Sequence, residues 1–144
     1  MSSFTIFDIA GSGMSAQSVR LNTTASNLAN ADSVSGDANS VYKARHPVFE
    51  AVQSALKGQS AITGSNAASA SVQVSSIMQS EAPAQQRYEP GNPLADENGY
   101  IYTSNVNVVE EMVDMISAAR SYQNNVEVMN TSKELMLATL KLGQ

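Results

Sequence analysis

The 144-residue sequence has no cysteine, no tryptophan, one histidine and only 6% aromatic residues. Without cysteine there is neither a disulfide staple nor a thiolate metal site, and the chain suits a reducing or an oxidising compartment equally. Scarce aromatics leave few of the large side chains that fill a thick globular centre, so a composition rich in Ser, Ala, Asn and Gln suits helix-on-helix contacts better. Basic residues are also few: eight Lys and Arg against 13 Asp and Glu, a net charge of −5, with no basic run. That balance argues against a nucleic-acid partner and against an anionic membrane surface. No stretch approaches the roughly 18 apolar residues of a spanning helix, so direct membrane insertion is not expected. The first positive side chain is Arg20, and Asp8 interrupts the apolar patch before it, which is unlike a cleavable secretory signal. The expectation is a soluble chain that leaves the cytoplasm only by another export route.

A hydrophobic content of 42% fits one domain or two thin layers. Three zones differ in texture. In residues 1–31, Phe7, Ala10, Met14, Leu21, Ala25 and Leu28 recur at helical spacing, which predicts an amphipathic helix with its frail turns near Gly11 and Gly13. Residues 32–104 hold all four prolines and five of the eight glycines. There Val72–Met78 and Gly99–Ser104 are candidate strands, and PGNPLADENG reads as a tight surface loop. The small, polar stretch SALKGQSAITGSNAASAS within this zone is expected to be mobile.

Residues 105–144 carry the strongest pattern. Steps of four and three give Val108, Met112, Met115, Ala119, Tyr122, Val126, Met129, Lys133, Met136 and Leu140, nine apolar positions of ten, a coiled-coil seam. Val109, Val113 and Ile116 widen it at the start. Asn107 with Glu110 resembles a capping box and sets the helix start. A helix from 107 to 142 is about 54 Å long at 1.5 Å per residue. A compact chain of this size has a radius of gyration of only about 15 Å, so the seam outruns its own globule. The amino-terminal helix covers one flank, and neighbouring subunits are expected to cover the rest. The fold class is therefore mainly α, α+β overall: long terminal helices packed as a coiled-coil-like pair around an irregular, partly β middle, with 1–31 and 105–144 forming one helical domain.

Chemistry finds little support. His46 precedes Pro47 with no orienting partner nearby in sequence. Gly11–Gly13 lacks the lysine of a phosphate loop. Ala95–Gly99 has the flavour of a calcium loop, but aligning Gly99 with the required glycine puts Leu94 and Asn105 at essential ligand positions. The methionines at 112, 115, 129 and 136 suit helix packing better than a metal site. No catalytic, cofactor-binding or metal residues are assigned, and no enzyme activity is expected.

ASNLANADS (Ala25 to Ser33), with its Asn27, Leu28, Ala29, Asn30 core, resembles the signature of bacterial flagellar rod and hook proteins. The stretch from Tyr88 to Gly143 is similar to the carboxyl-terminal region of proximal-rod subunits of that family, and VYKARHPVFEAV (Val41 to Val52) is similar too. The usual continuation of the signature into Thr, then Gly, aromatic and Lys is replaced by ADSVSGDANSVYK, a longer spacing that is itself of the proximal-rod type. The resemblance implies a structural subunit with terminal helices that pack together and stack into a helical tube, the drive shaft between motor and hook. It implies export without cleavage through the flagellar type III apparatus to the periplasm-spanning basal body. The implied partners are other copies of the chain, other rod proteins and the junction protein between MS ring and export gate at the rod base. The packing residues expected are Met14, Leu21 and Leu28 with the carboxyl-terminal seam, while Asn27 and Asn30 cap the first helix or bridge to a neighbour. A soluble helical adaptor or export chaperone would use similar seams; a virulence-system needle subunit fits the length and the middle zone poorly.

Overall fold

The computed structural model describes residues 3–53 and 70–142. Most of the stretch expected to be mobile lies outside the described residues. The chain runs α1 (Ser3–Ala29), β1 (Val34–Ser35), β2 (Arg45–Gln53), β3 (Ala70–Gln79), β4 (Gln85–Tyr88), β5 (Tyr100–Thr103) and α2 (Val108–Leu142). At 1.5 Å per residue α1 is about 40 Å long and α2 about 52 Å.

The two helices pack antiparallel. Asn27 meets Glu111 at one end, and fourteen residues away along each helix Gly13 meets Asn125. A Cβ at Gly13 would stand 2.9 Å from Asn125 Nδ2, so the helices approach closely there because one position has no side chain. α1 runs unbroken through Gly11 and Gly13, with Asn125 of α2 beside Gly13 and β3 bonded to Ser12. The start of α2 is as expected: Asn107 Oδ1 accepts the Val109 N–H at 3.1 Å, an N-cap, and Glu110 and Glu111 stand in the first turn, where the helix dipole favours negative charge.

A long two-stranded antiparallel ribbon, β2–β3, lies against a second face of α1, with the Val72 N–H bonded to Ser12 Oγ at 3.2 Å. The alternation of Val72–Met78 predicted β3. β2 escapes the same test because Pro47 interrupts its pattern and its register shifts between Val48 and Phe49, a bulge that breaks the two-residue period. The second sheet, in order β1-β5-β4, is antiparallel throughout. It clasps the segment leaving α1 to the segment entering α2, and Ser104 N–H extends it to Ser33 O at 3.2 Å. Ile101, fully buried, is its core residue, with Val41, Ala44 and Val106 also buried. The loop between β4 and β5 turns through Gly99 at φ +81°, where a Cβ would meet Tyr88 and Pro90 at 3.0 and 3.1 Å; glycine alone takes that turn readily. Tyr88 and Tyr100, paired across the strands, stack edge to face at 5.2 Å. Among the described residues no helix is long and apolar enough to cross a membrane.

Candidate functional site

The amino-terminal end of α2, the carboxyl-terminal end of α1 and the chain crossing between them meet at one junction. Asn27 is its centre. It has no exposed surface, and each side-chain atom is used twice: Oδ1 accepts from Arg45 N–H and Tyr42 O–H, each at 2.9 Å, and Nδ2 donates to Arg45 O and Glu111 Oε1, each at 2.8 Å. One amide thus satisfies both main-chain groups of Arg45 and ties two elements to α1. Asn105 holds the residue before Arg45, accepting from Ala44 N–H at 2.7 Å, and donates to Ala82 O at 2.8 Å. Ala44 O accepts from Ser80 N–H. The chain entering β2 is therefore held by two asparagines, and its direction is fixed relative to both helices.

Of the signature residues, Asn27 is this clamp, and Asn30 closes the end of α1 by donating to Ser26 O at 2.8 Å. Leu28 is half-buried and Ala29 exposed. None of Tyr42, Asn105 and Glu111 was expected from the sequence to join this junction. The polar character of Glu111 beside an apolar seam is the one local signal that marks it.

The seam itself divides. The buried and half-buried residues of α2 include Glu111, Met115, Ala118, Asn125, Met129, Ser132 and Met136, at steps of four, three or seven, and Glu111 and Asn125 among them meet α1. Met115, Met129 and Met136 belong to the predicted seam; Ala119 and Val126 are half-buried at its edge. Val108, Met112, Tyr122 and Leu140 are exposed. The intrachain contact is thus phased one residue ahead of the apolar row, because Glu111, Ala118, Asn125 and Ser132 are polar or small, and half of the predicted row faces outward. Val109, Val113 and Ile116 are 70%, 61% and 57% exposed. On α1, Met14 and Leu21 are half-buried, while Ala10, Ala16, Thr23, Thr24 and Asn27 are the buried set. Small residues there let α1 sit between two neighbours. Arg20 reaches over to Asp114 at 2.5 Å, an ion pair exposed enough that screening leaves it about 1 kcal/mol or less.

A pair of helices with an open apolar flank, locked at one end by buried amides, is the architecture of an assembling structural protein. Family models describe the same two ends: "Flagella basal body rod protein" matches residues 7–36, and "Flagellar basal body rod FlgEFG protein C-terminal" matches residues 97–142. The class is that of flagellar rod proteins. The chain is 54% identical to the flagellar basal-body rod protein FlgC of Salmonella typhimurium and 53% identical to that of Escherichia coli O6:H1, over the full length of each. With FlgC of Aquifex aeolicus it shares 41% identity, over 98% of this chain and 97% of that one. The chain belongs to the FlgC family of flagellar basal-body rod proteins and is a structural subunit of the rod.

Proposed function

We propose that the chain assembles helically in the proximal rod and transmits torque through interlocked helices, the outer flank of α2 being the face that neighbours cover. The observation that carries this is the exposure of Val109, Met112, Val113 and Ile116 in one patch on a helix whose other face is already occupied by α1. Burying such side chains contributes about 1.5 kcal/mol or more each, and a patch of this kind on a structural protein marks an interface. Heterologous contacts that do not close on themselves extend into filaments. Coiled-coil packing along these flanks would resist shear, since a slip misplaces every knob.

In this reading 1–31 and 105–144 form one helical unit, and 32–104 braces it laterally. The Asn27, Leu28, Ala29, Asn30 signature fixes the angle at which the middle segment leaves the helices. The partners are other copies, other rod proteins, the junction protein between MS ring and export gate, and the type III apparatus that exports the chain uncleaved to the periplasm-spanning rod. The role is mechanical, with no enzymatic step.

Electron microscopy of basal bodies from a deletion strain, beside the complemented strain, tests the proposal. Loss of rod, hook and filament with rescue is the expected result. Intact rods in the deletion strain would overturn it and leave a cytoplasmic adaptor or chaperone.

A further inference from the structure

Glycine or serine follows asparagine at two positions only, Asn98-Gly99 and Asn39-Ser40. A small following residue leaves its main-chain nitrogen open to attack the asparagine side chain, which is one reason asparagine counts among the thermolabile residues. Glycine at 99 is required by the fold: the chain turns there at φ +81°, and a Cβ would stand 3.0 Å from Tyr88 and 3.1 Å from Pro90. The loop between β4 and β5 therefore builds a labile pair into its own tip, with Asn98 exposed.

Both pairs sit in the same kind of turn. An aspartate stands two residues before each asparagine. Asp96 Oδ1 accepts from Asn98 N–H and Tyr100 N–H, each at 2.8 Å, while Asp96 O accepts from Gly99 N–H at 3.0 Å. Asp37 Oδ1 accepts from Asn39 N–H at 3.1 Å, and Asp37 O accepts from Ser40 N–H at 3.2 Å. In each turn the nitrogen that would attack has its proton engaged, and the aspartate side chain pins the turn closed.

We infer that Asn98 is a site of spontaneous backbone modification and that Asp96 restrains it, as Asp37 restrains Asn39. Gly99 nitrogen, once its proton is lost to solvent base, attacks Asn98 Cγ. The N–Cγ bond forms, the Cγ–Nδ2 bond breaks, and ammonia leaves with a proton returned from solvent, which closes a succinimide. Water then opens the ring. Cleavage at Cγ gives aspartate; cleavage at the main-chain carbonyl carbon gives isoaspartate, with the chain running through the side-chain carboxyl. The reaction proceeds from the opened turn, so each hydrogen bond that closes the turn slows it.

The isoaspartyl product puts an extra carbon into the main chain at the tip of a hairpin. There Glu89 N–H bonds to Gly99 O and Asp96 N–H to Tyr100 O, each at 2.9 Å, and β5 carries the fully buried Ile101. The longer chain misplaces these bonds and loosens the sheet that clasps the exit of α1 to the entry of α2.

The purified full chain is incubated at mildly alkaline pH, folded or unfolded in guanidinium chloride, and its peptides are followed by mass spectrometry that separates asparagine, aspartate and isoaspartate. Asn98 should convert about tenfold or more slowly in the folded chain. Asp96→Ala, which removes two hydrogen bonds from the turn, should speed conversion of folded Asn98 by about fivefold or more and leave the unfolded rate unchanged. Asp96→Asn keeps the acceptor and should stay near the unmodified rate; conversion as fast as in Asp96→Ala would overturn the hydrogen-bond restraint. Asp37→Ala should speed Asn39 alone, and faster conversion of Asn98 in that variant would make whole-chain unfolding the route and overturn the local one. Equal folded and unfolded rates for the unmodified chain would overturn the inference without any variant.

Discussion

Asn27 on α1 donates a 2.8 Å hydrogen bond to the carboxylate of Glu111 on α2, and both residues are sealed from water. The bond spans 84 positions of sequence and joins the two longest elements at the point where the middle segment departs. A buried amide with every donor and acceptor engaged fixes a geometry because any other arrangement leaves polar groups unpaired.

Asn27→Ala removes that geometry. It strands Arg45 N–H, Arg45 O and the Glu111 carboxylate at once, and each orphaned buried group costs about 1–3 kcal/mol. The variant should lose about 3 kcal/mol or more in urea denaturation of the purified chain. Asn27→Asp should be at least as damaging, since it replaces the amide donor with a second carboxylate facing Glu111. A loss below about 1 kcal/mol for Asn27→Ala would show that water replaces the amide.

Glu111→Gln tests the other half of the pair. Glu111 Oε2 is buried and has no hydrogen-bond partner among the described residues, while Oε1 accepts from Asn27. Glutamine keeps the acceptor and removes a buried charge whose second oxygen is unpaired, and buried charges cost far more than neutral amides. The expected outcome is unchanged or increased stability, by up to about 2 kcal/mol. A marked loss would mean that Oε2 has a bound partner.

The two glycines of α1 should respond differently. Nothing lies within 4 Å of a Cβ at Gly11, so Gly11→Ala should add about 0.5–1 kcal/mol through helix propensity alone. A Cβ at Gly13 would meet Asn125 at 2.9 Å, and displacing that side chain from the helix contact should cancel the gain. Thermal melting of both variants reads the difference, and equal stabilisation would show that the helices part easily at that level.

The helices were legible in the sequence because Ala10, Met14, Leu21 and Leu28 on α1, and Met115, Met129 and Met136 on α2, keep the helical period. β3 was legible because it alternates, and β5 because Tyr, Ile, Tyr and Thr favour a strand. β2 was not, with Pro47 and a bulge in it, and β4 (Gln85–Tyr88) was not, because three of its four residues are Gln, Gln and Arg and all four are exposed. The phase of the helix contact was hidden for a different reason. The side chains of α2 that meet α1 include Glu111 and Asn125, so the apolar row marks only half of what is buried inside the chain. The role of Asn27 was out of reach because Tyr42, Arg45 and Glu111 are distant in sequence, and an Asn near a helix end is ambiguous between cap and clamp until its partners are placed.

Ile116 and Ala118, two residues apart, separate the interior contact from the exterior one. Ala118 has no exposed surface and Ile116 is 57% exposed, so they sit on opposite sides of α2. Ala118→Leu forces extra volume between the helices, a change that costs about 1–3 kcal/mol when a packed site cannot yield. The isolated chain should melt earlier, with incorporation falling in proportion. Ile116→Asp places a charge where water already reaches, so the isolated chain should keep its circular dichroism and its stability to within about 0.5 kcal/mol, as surface changes do. In an assembled rod the same carboxylate would be desolvated against a neighbour without a partner, so swimming and rod incorporation should be lost although the monomer is intact. Normal motility of Ile116→Asp would show that this face stays in solvent. Normal motility of Ala118→Leu would show that the helix pair repacks on assembly.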